Sequence, residues 1–491
     1  MTSTRFIMSG VLVVLLTLQS RSHVWGQAEP PAPFGAIPTE QHLKWHELEY
    51  YGFLHFTVNT FTDREWGGGD ESPSVFDPTE LDAQQWADVA KRAGMTALIL
   101  TAKHHDGFCL WPSQYTAHSV KNSPWKQGQG DVVRELEVAC RKNGLKLGIY
   151  LSPWDRNHAD YARPAYVDYY RQQMRELLSQ YGDIFETWYD GANGGDGYYG
   201  GAREKRQIDA KTYYGWEDTW RLVRQLQPDC IRFSDAGPDI RWVGNESGFG
   251  DDLNWATFQR EGRWPGTAPR ESLTHGDEGG SHWVPAEVDV SIRPGWFWHE
   301  SQNSQVKSLE QLLDIYYSSV GYGCNLLLNV PPDKRGLIHE VDAQRLQQFG
   351  DVLRATFKTD LARGKPVVAS NVRGSSSAFA ASCLTDGDRR TYWATDDAVR
   401  SASVEVDLGS PTEFDHIRLQ EEIRLGQRVK AFQIEARSDG QWRTIFTGAT
   451  IGPRRILRTP RVSADRVRVV LKECLASPTL STMEIFNSPD P

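Results

Sequence analysis

Polar and aromatic residues collect along this chain at the points where short apolar runs stop. The run GFLHF carries His55 and is followed by Glu65-Trp66. ALILTAK leads into His104-His105-Asp106-Gly107, and GIYLS carries Tyr150 ahead of Trp154-Asp155. FETWYD places Trp188 and Asp190 just before Gly191-Ala192-Asn193-Gly194-Gly195. RFSD ends on Asp235 and precedes Arg241-Trp242-Val243-Gly244-Asn245-Glu246, and SIRPGW carries Arg293 and Trp296. Carboxylates of this kind can attack carbon or exchange protons. Imidazoles can ligate a metal or bond to hydroxyls. Indoles and phenols offer an apolar plate with a polar rim, which suits the face of a pyranose ring, and the chain has 18 Trp and 18 Tyr.

Taken singly, each feature has a plainer reading. Asp190 could cap its glycine-rich loop, and Glu246 could be a solvated loop acid. His104-His105 could be a capping pair, a metal site with Asp106, or a pair of hydroxyl ligands. Against the metal stands the spacing: HxH and HxxxH, which put two ligands on one face, are absent. Neighbouring residues on a strand point to opposite faces, so both histidines reach one site only if the strand ends there. Asn245-Glu246-Ser247 is the only N-x-[ST] sequon in the chain. A glycan there would crowd the Glu246 loop, so Asn245 is expected to be unglycosylated in a working protein.

Elements that could position these groups are readable. Strands are expected at Gly52–Val58, Ala97–Lys103, Lys146–Ser152, Ile184–Asp190, Ile231–Asp235, Val288–Ile292 and Asn325–Val330, as continuous apolar runs. Amphipathic stretches lie between them at Asp82–Ala93, Asp131–Lys142, Ala165–Tyr181 and Lys211–Gln227. Strand–helix alternation predicts an α/β fold, a (β/α)₈-type barrel with its chemistry at the C-terminal strand ends and one strand not visible. A doubly wound open sheet is the alternative, but no glycine-rich phosphate fingerprint follows the first strand. From Lys365, after a helix over Asp342–Phe357, alternating segments such as SVEVDLG and RVRVVL predict an antiparallel β-sandwich.

Three divisions follow: a signal peptide over 1–28, a catalytic barrel over 29–364, and a sandwich over 365–491. Arg5, the apolar run Phe6–Leu18 and the small residues after it have the order of a secretory leader, too short to span a bilayer. The mature chain is therefore expected outside the cytoplasm, secreted or periplasmic, without membrane insertion. Six dispersed cysteines form no CxxC pair, which argues against a zinc site or disulfide framework. A net charge of −10 without a basic tract argues against nucleic acid.

The segments GFLHF, TDREWG, LTAKHHDGFCLWPS, GIYLSPWD, WYDGANG, FSDAGPDIRWVGNE and SIRPGWFWH resemble, in this order, those of glycoside hydrolase family 29, the α-L-fucosidases. They are most similar to the branch that removes α-1,3- and α-1,4-linked fucose. The resemblance implies a retaining exo-hydrolase of fucosylated glycans that needs no cofactor. Asp190 would be the nucleophile and Glu246 the acid/base, which in retaining enzymes lie about 5–5.5 Å apart. It carries fucose contacts to His55, Glu65, Trp66, His104, His105 and Trp188, with Tyr150, Arg241 and Trp296 as further placements. An inactive, fucose-binding barrel and a metal-dependent hydrolase are the competing functions. The C-terminal stretch Leu384-Thr385-Asp386-Gly387-Asp388, with Thr391 and Trp393, resembles discoidin-type (F5/8 type C) or family 32 carbohydrate-binding modules. Trp393 there is either core or ligand platform, and aspartates near Asp386 could hold a structural calcium.

Overall fold

The computed structural model describes Met1 and residues 28–489. The expected signal peptide thus falls almost wholly outside the described residues. Among them, no helix is long and apolar enough to cross a membrane.

Eight parallel strands close into a barrel: β1 (Tyr50–Leu54), β2 (Ala97–Lys103), β3 (Lys146–Leu151), β4 (Ile184–Trp188), β5 (Ile231–Ser234), β6 (Ile240–Trp242), β7 (Ala286–Ser291) and β8 (Asn325–Asn329). Each pairs with its neighbours in sequence, and β8 pairs with β1. Alternation along the strands sorts the apolar side chains into two layers. Tyr51, Phe53, Ala97, Ile99, Tyr150, Phe233 and Ile240 fill the barrel interior. Tyr50, Leu54, Leu98, Leu100, Leu147 and Ile149 pack outward against the helices.

The strand hidden in the sequence is β6. It is three residues long, with an arginine at its centre, and no helix separates it from β5. The principal helices are α1 (Ala83–Ala93), α2 (Val132–Asn143), α3 (Pro164–Gln180), α4 (Trp216–Leu226), α5 (Arg270–His275), α6 (Leu309–Ser319) and α7 (Glu340–Thr356). Asp82 and Asp131 start α1 and α2 as side-chain caps, as their residue type favours. The helix expected from Lys211 begins only at Trp216. Gly215 before it sits at φ +53°, a left-handed conformation that interrupts helical continuation.

The C-terminal region is a sandwich built from β9 (Val367–Ala369), β10 (Trp393–Ala394), β11 (Ala402–Glu421), β12 (Val429–Ser438), β13 (Gln441–Gly448), β14 (Arg455–Cys474) and β15 (Thr479–Phe486). Two strands, β11 and β14, run for 20 residues each and change register part-way, so each serves both layers. One layer runs β9, β11, β14, β12, β13; the other joins the far halves of β14 and β11 to β15 and β10. Trp393 is fully buried in the core between them, so it is not a ligand platform. All six cysteines are free thiols.

The sandwich meets the barrel through buried polar groups. Arg454, 1% exposed, donates to the carbonyls of His46, Val320 and Cys324 and pairs with Glu49.

Candidate active site

The end of β2 explains how two adjacent histidines reach one site. A register shift between Thr101 and Lys103 reverses the alternation, so Lys103 points outward. There it meets Asp155 at 3.1 Å and Gln173 at 2.9 Å, fully buried. The strand stops, and both rings turn to the C-terminal mouth. His104 lies 5.5 Å from His55 and parallel to Tyr150, and its ring centroid is 4.2 Å from that of His105.

His55 and His105 are oriented from behind. Asn329 spends its amide N–H groups on Ser291 and the Trp296 carbonyl, so its Oδ1 accepts from His55 Nδ1 at 2.8 Å. Ser152 donates to the Trp154 carbonyl and accepts from His105 Nδ1 at 2.7 Å. In both rings Nε2 is left as the free face, and that of His105 lies 3.7 Å from Asp190 Oδ2. Burial holds His55 down to about 3 and His104 well below the usual range. It also lowers His105, against the pull of Asp190. The three imidazoles are therefore neutral at ordinary pH, each with a lone pair that can accept from a hydroxyl.

Asp190 follows β4. Its Oδ2 accepts from the Tyr150 hydroxyl at 3.0 Å and its Oδ1 from the Ala192 amide at 2.7 Å. Trp188, two residues back, stacks on Phe233 at 4.1 Å and donates its indole N–H to Glu287 at 2.8 Å. Glu65 joins the same rim: it accepts from the Trp296 amide at 2.8 Å and pairs with His299 at 2.6 Å. Trp66 stands over His105 with half its surface exposed.

Glu246 lies across the mouth, in the loop after β6. The Trp296 indole N–H approaches its Oε2 at 3.4 Å. Glu246 is exposed at the rim of the pocket, and partial desolvation there, with help from Asp190, raises its carboxyl from the ordinary value, against the pull of Trp296 and Arg270. Asp190 and Glu246 line one pocket of about 320 Å³ together with Trp188, Phe233, Asp235, Trp242 and Asp289.

Of the residues singled out in the sequence, His55, Glu65, Trp66, His104, His105, Tyr150, Trp188, Asp190, Glu246 and Trp296 come together here. Arg241 does not. It points out of the barrel, fully buried, and gives its N–H groups to the carbonyls of Leu273 and Val284 and to Asn254. Its neighbour Trp242, like Ile240, is an inward residue of β6 and donates to Asp289 at 2.6 Å.

Asp235, Trp242 and Asp289 are pocket residues that were not selected. Burial raises Asp235 to about 7, and raises Asp289 well above the usual range with Glu246 beside it. The signal for Asp289 was present in AEVDVS, where Glu287, Asp289 and Ser291 share one face of β7. Among the described residues no group of three or more potential metal-ligating side chains occurs. Near the stretch proposed for calcium, Asp386 is bonded to the Asp388 amide and Thr391, and Asp388 to Arg390.

Two family models match, an alpha-L-fucosidase model over residues 35–356 and an F5/8 type C domain over residues 366–484. The chain belongs to the α-L-fucosidase family. It is similar to alpha-L-fucosidase 1 of Arabidopsis thaliana, 42% identical over 96% of this chain and 92% of the relative. The putative alpha-L-fucosidase 1 of Oryza sativa subsp. japonica is 43% identical over 99% of this chain and 92% of that protein. Among solved structures, SpGH29 superposes with a TM-score of 0.87 at 39% identity, over 94% of this chain and 100% of that one. A Ruminococcus gnavus GH29 fucosidase in complex with fucose gives 0.85 at 31% identity, over 95% and 98%. The protein is thus an α-L-fucosidase of glycoside hydrolase family 29, with a discoidin-like C-terminal domain.

Proposed function

We propose that this fucosidase is a retaining exo-enzyme that removes terminal α-1,3- or α-1,4-linked fucose from glycans outside the cytoplasm. Asp190 attacks the anomeric carbon and forms a covalent fucosyl-enzyme. Glu246 protonates the departing glycosidic oxygen, then takes a proton from the incoming water. His55, His104 and His105 accept from sugar hydroxyls, and Trp66, Trp188 and Trp296 wall the ring. The observation that carries this reading is one pocket with two unlike carboxyls. Asp190 is aimed into the pocket by the Tyr150 hydroxyl and a backbone amide, which both donate to it. Glu246 is raised by partial desolvation, which favours an acid. No cofactor enters the proposed steps.

Asp190→Ala should abolish turnover on every substrate. Glu246→Ala should slow oligosaccharides by about 10²–10⁴-fold but spare a dinitrophenyl fucoside, whose leaving group hardly needs a proton. Azide should rescue that variant and give an α-fucosyl azide, the configuration left by two successive inversions. Full activity of Glu246→Ala on oligosaccharides would remove it from the mechanism. In the same assays, run with and without EDTA, α-1,3/1,4-fucosyl trisaccharides should be cleaved much faster than α-1,2-fucosyllactose. Equal rates would refute the linkage assignment, and chelator-sensitive turnover the cofactor-free one.

A further inference from the structure

The loop that carries Glu246 is closed at its base by two buried side chains. Arg241 and Asn254, 13 residues apart, meet through Nη2 and Oδ1 at 3.1 Å. Arg241 is fully buried and Asn254 is 6% exposed. Arg241 is anchored on the barrel by the Leu273 and Val284 carbonyls. Asn254 is anchored from across the domain boundary. Its backbone N–H donates to Thr450 Oγ1 at 2.9 Å, and the Thr450 hydroxyl donates back to the Asn254 backbone carbonyl at 3.0 Å. Gln427 donates to that carbonyl at 2.8 Å and accepts from the Ala256 amide at 2.8 Å. Thr450 and Gln427 belong to the sandwich and are buried. One residue pair upstream, Asp252 accepts from the Ala449 amide and pairs with Arg455, both of the sandwich.

A loop tethered only through its own backbone would spread Glu246 over many positions. Ordering it costs entropy that some contact must offset. A proton donor has to lie within hydrogen-bond reach of the leaving oxygen, and a misplacement of about 1 Å can cost about 10²-fold. The far end of this loop is held from both sides. The barrel takes the Asn254 side-chain N–H on the Tyr322 carbonyl, and the Gly250 and Trp255 N–H groups on the Ser318 and His275 carbonyls. The C-terminal domain supplies the contacts of Thr450 and Gln427.

We propose that the sandwich positions the general acid: Thr450 and Gln427 hold Asn254, Asn254 clasps Arg241, and the clasp sets the loop that presents Glu246. This rests on Glu246 being the proton donor. Thr450 and Gln427 are then positioning residues for glycosidic cleavage, acting through the loop and never touching the sugar.

The test compares leaving groups. Thr450→Val should lower kcat/KM on the fucosyl oligosaccharide that the wild type cleaves fastest by about tenfold or more. On a dinitrophenyl α-L-fucoside it should lose less than about threefold, since no acid is needed. Thr450→Ser, which keeps the hydroxyl, should restore the ratio, and Gln427→Met should lower it as Thr450→Val does. Equal losses on the two substrates, or no loss on either, would overturn the proposal, because mere loss of folded enzyme scales both alike. Glu246→Ala measured alongside separates the two ideas. If it discriminates between the substrates and Thr450→Val does not, the clasp falls alone; if it fails to discriminate, both fall.

Discussion

Glu246 must carry a proton when substrate arrives, and its environment raises its affinity for one. Partial desolvation comes first among the causes, with the Asp190 carboxylate adding to it. The sign follows directly: kcat/KM on an oligosaccharide should be high while Glu246 is protonated and fall as pH rises through its raised pKa. Glu246→Gln should remove that alkaline limb and lower the plateau. Asp235 complicates the assignment, because burial lifts it to about 7 in the same pocket. Asp235→Asn should therefore keep the limb; if the limb vanishes there and survives in Glu246→Gln, Asp235 is the titrating group. His55 and His104 are held too low by burial to contribute to that alkaline limb.

Among the elements, β2 shows how a strand end is built for function. Lys103 and Asp155 form a fully buried pair behind the histidines. Burial alone would raise the Asp155 carboxyl, and the Lys103 ammonium reverses that and holds it low. Asp155 also accepts from the Asn157 and His158 amides, fixing the loop of Trp154 and Arg156. Lys103→Met strands that charge and should cost about 3–5 kcal/mol in denaturant unfolding. A cost below about 1 kcal/mol would show the pair to be dispensable.

Such elements were legible to differing degrees. Ala97–Lys103 was readable to the residue, because ALILTAK is buried on both faces. Ile240–Trp242 was not, because a three-residue strand has no period to detect and its arginine looks like a loop residue. Arg241 was placed in the site by the family resemblance, whereas strand alternation sends Trp242 inward and Arg241 out. The register shift that brings His104 and His105 to one mouth left no mark in the sequence, since it depends on pairing with β3. The Asn245 sequon lies in that same acid loop. Its amide donates to the Phe249 carbonyl and its Oδ1 accepts from Ser247, so the side chain already shapes the turn.

For the molecule as a whole, the sandwich is joined to the barrel by buried polar groups as well as by apolar contacts such as Phe357 on Phe486 and Ile456 in the barrel's outer core. Arg454 satisfies carbonyls at the barrel's base, and Asn254, Thr450 and Gln427 share bonds beside the acid loop. Cutting the chain after residue 364 removes Arg454, Thr450 and Gln427 and bares the barrel surface they cover, including the Phe357 ring that packs on Phe486. The expected product is an aggregated or inactive barrel. A soluble fragment with full activity on oligosaccharides would contradict this. The same seam constrains inheritance. Discoidin-like modules are often pictured as beads that recombination can trade between genes. A crossover at this boundary would deliver a foreign bead lacking partners for Asn254 and for the carbonyls that Arg454 serves. Compensating changes would then be needed in both parents at once. Barrel and sandwich should therefore descend as one unit, with their histories congruent residue for residue along the seam even where their outer surfaces drift apart.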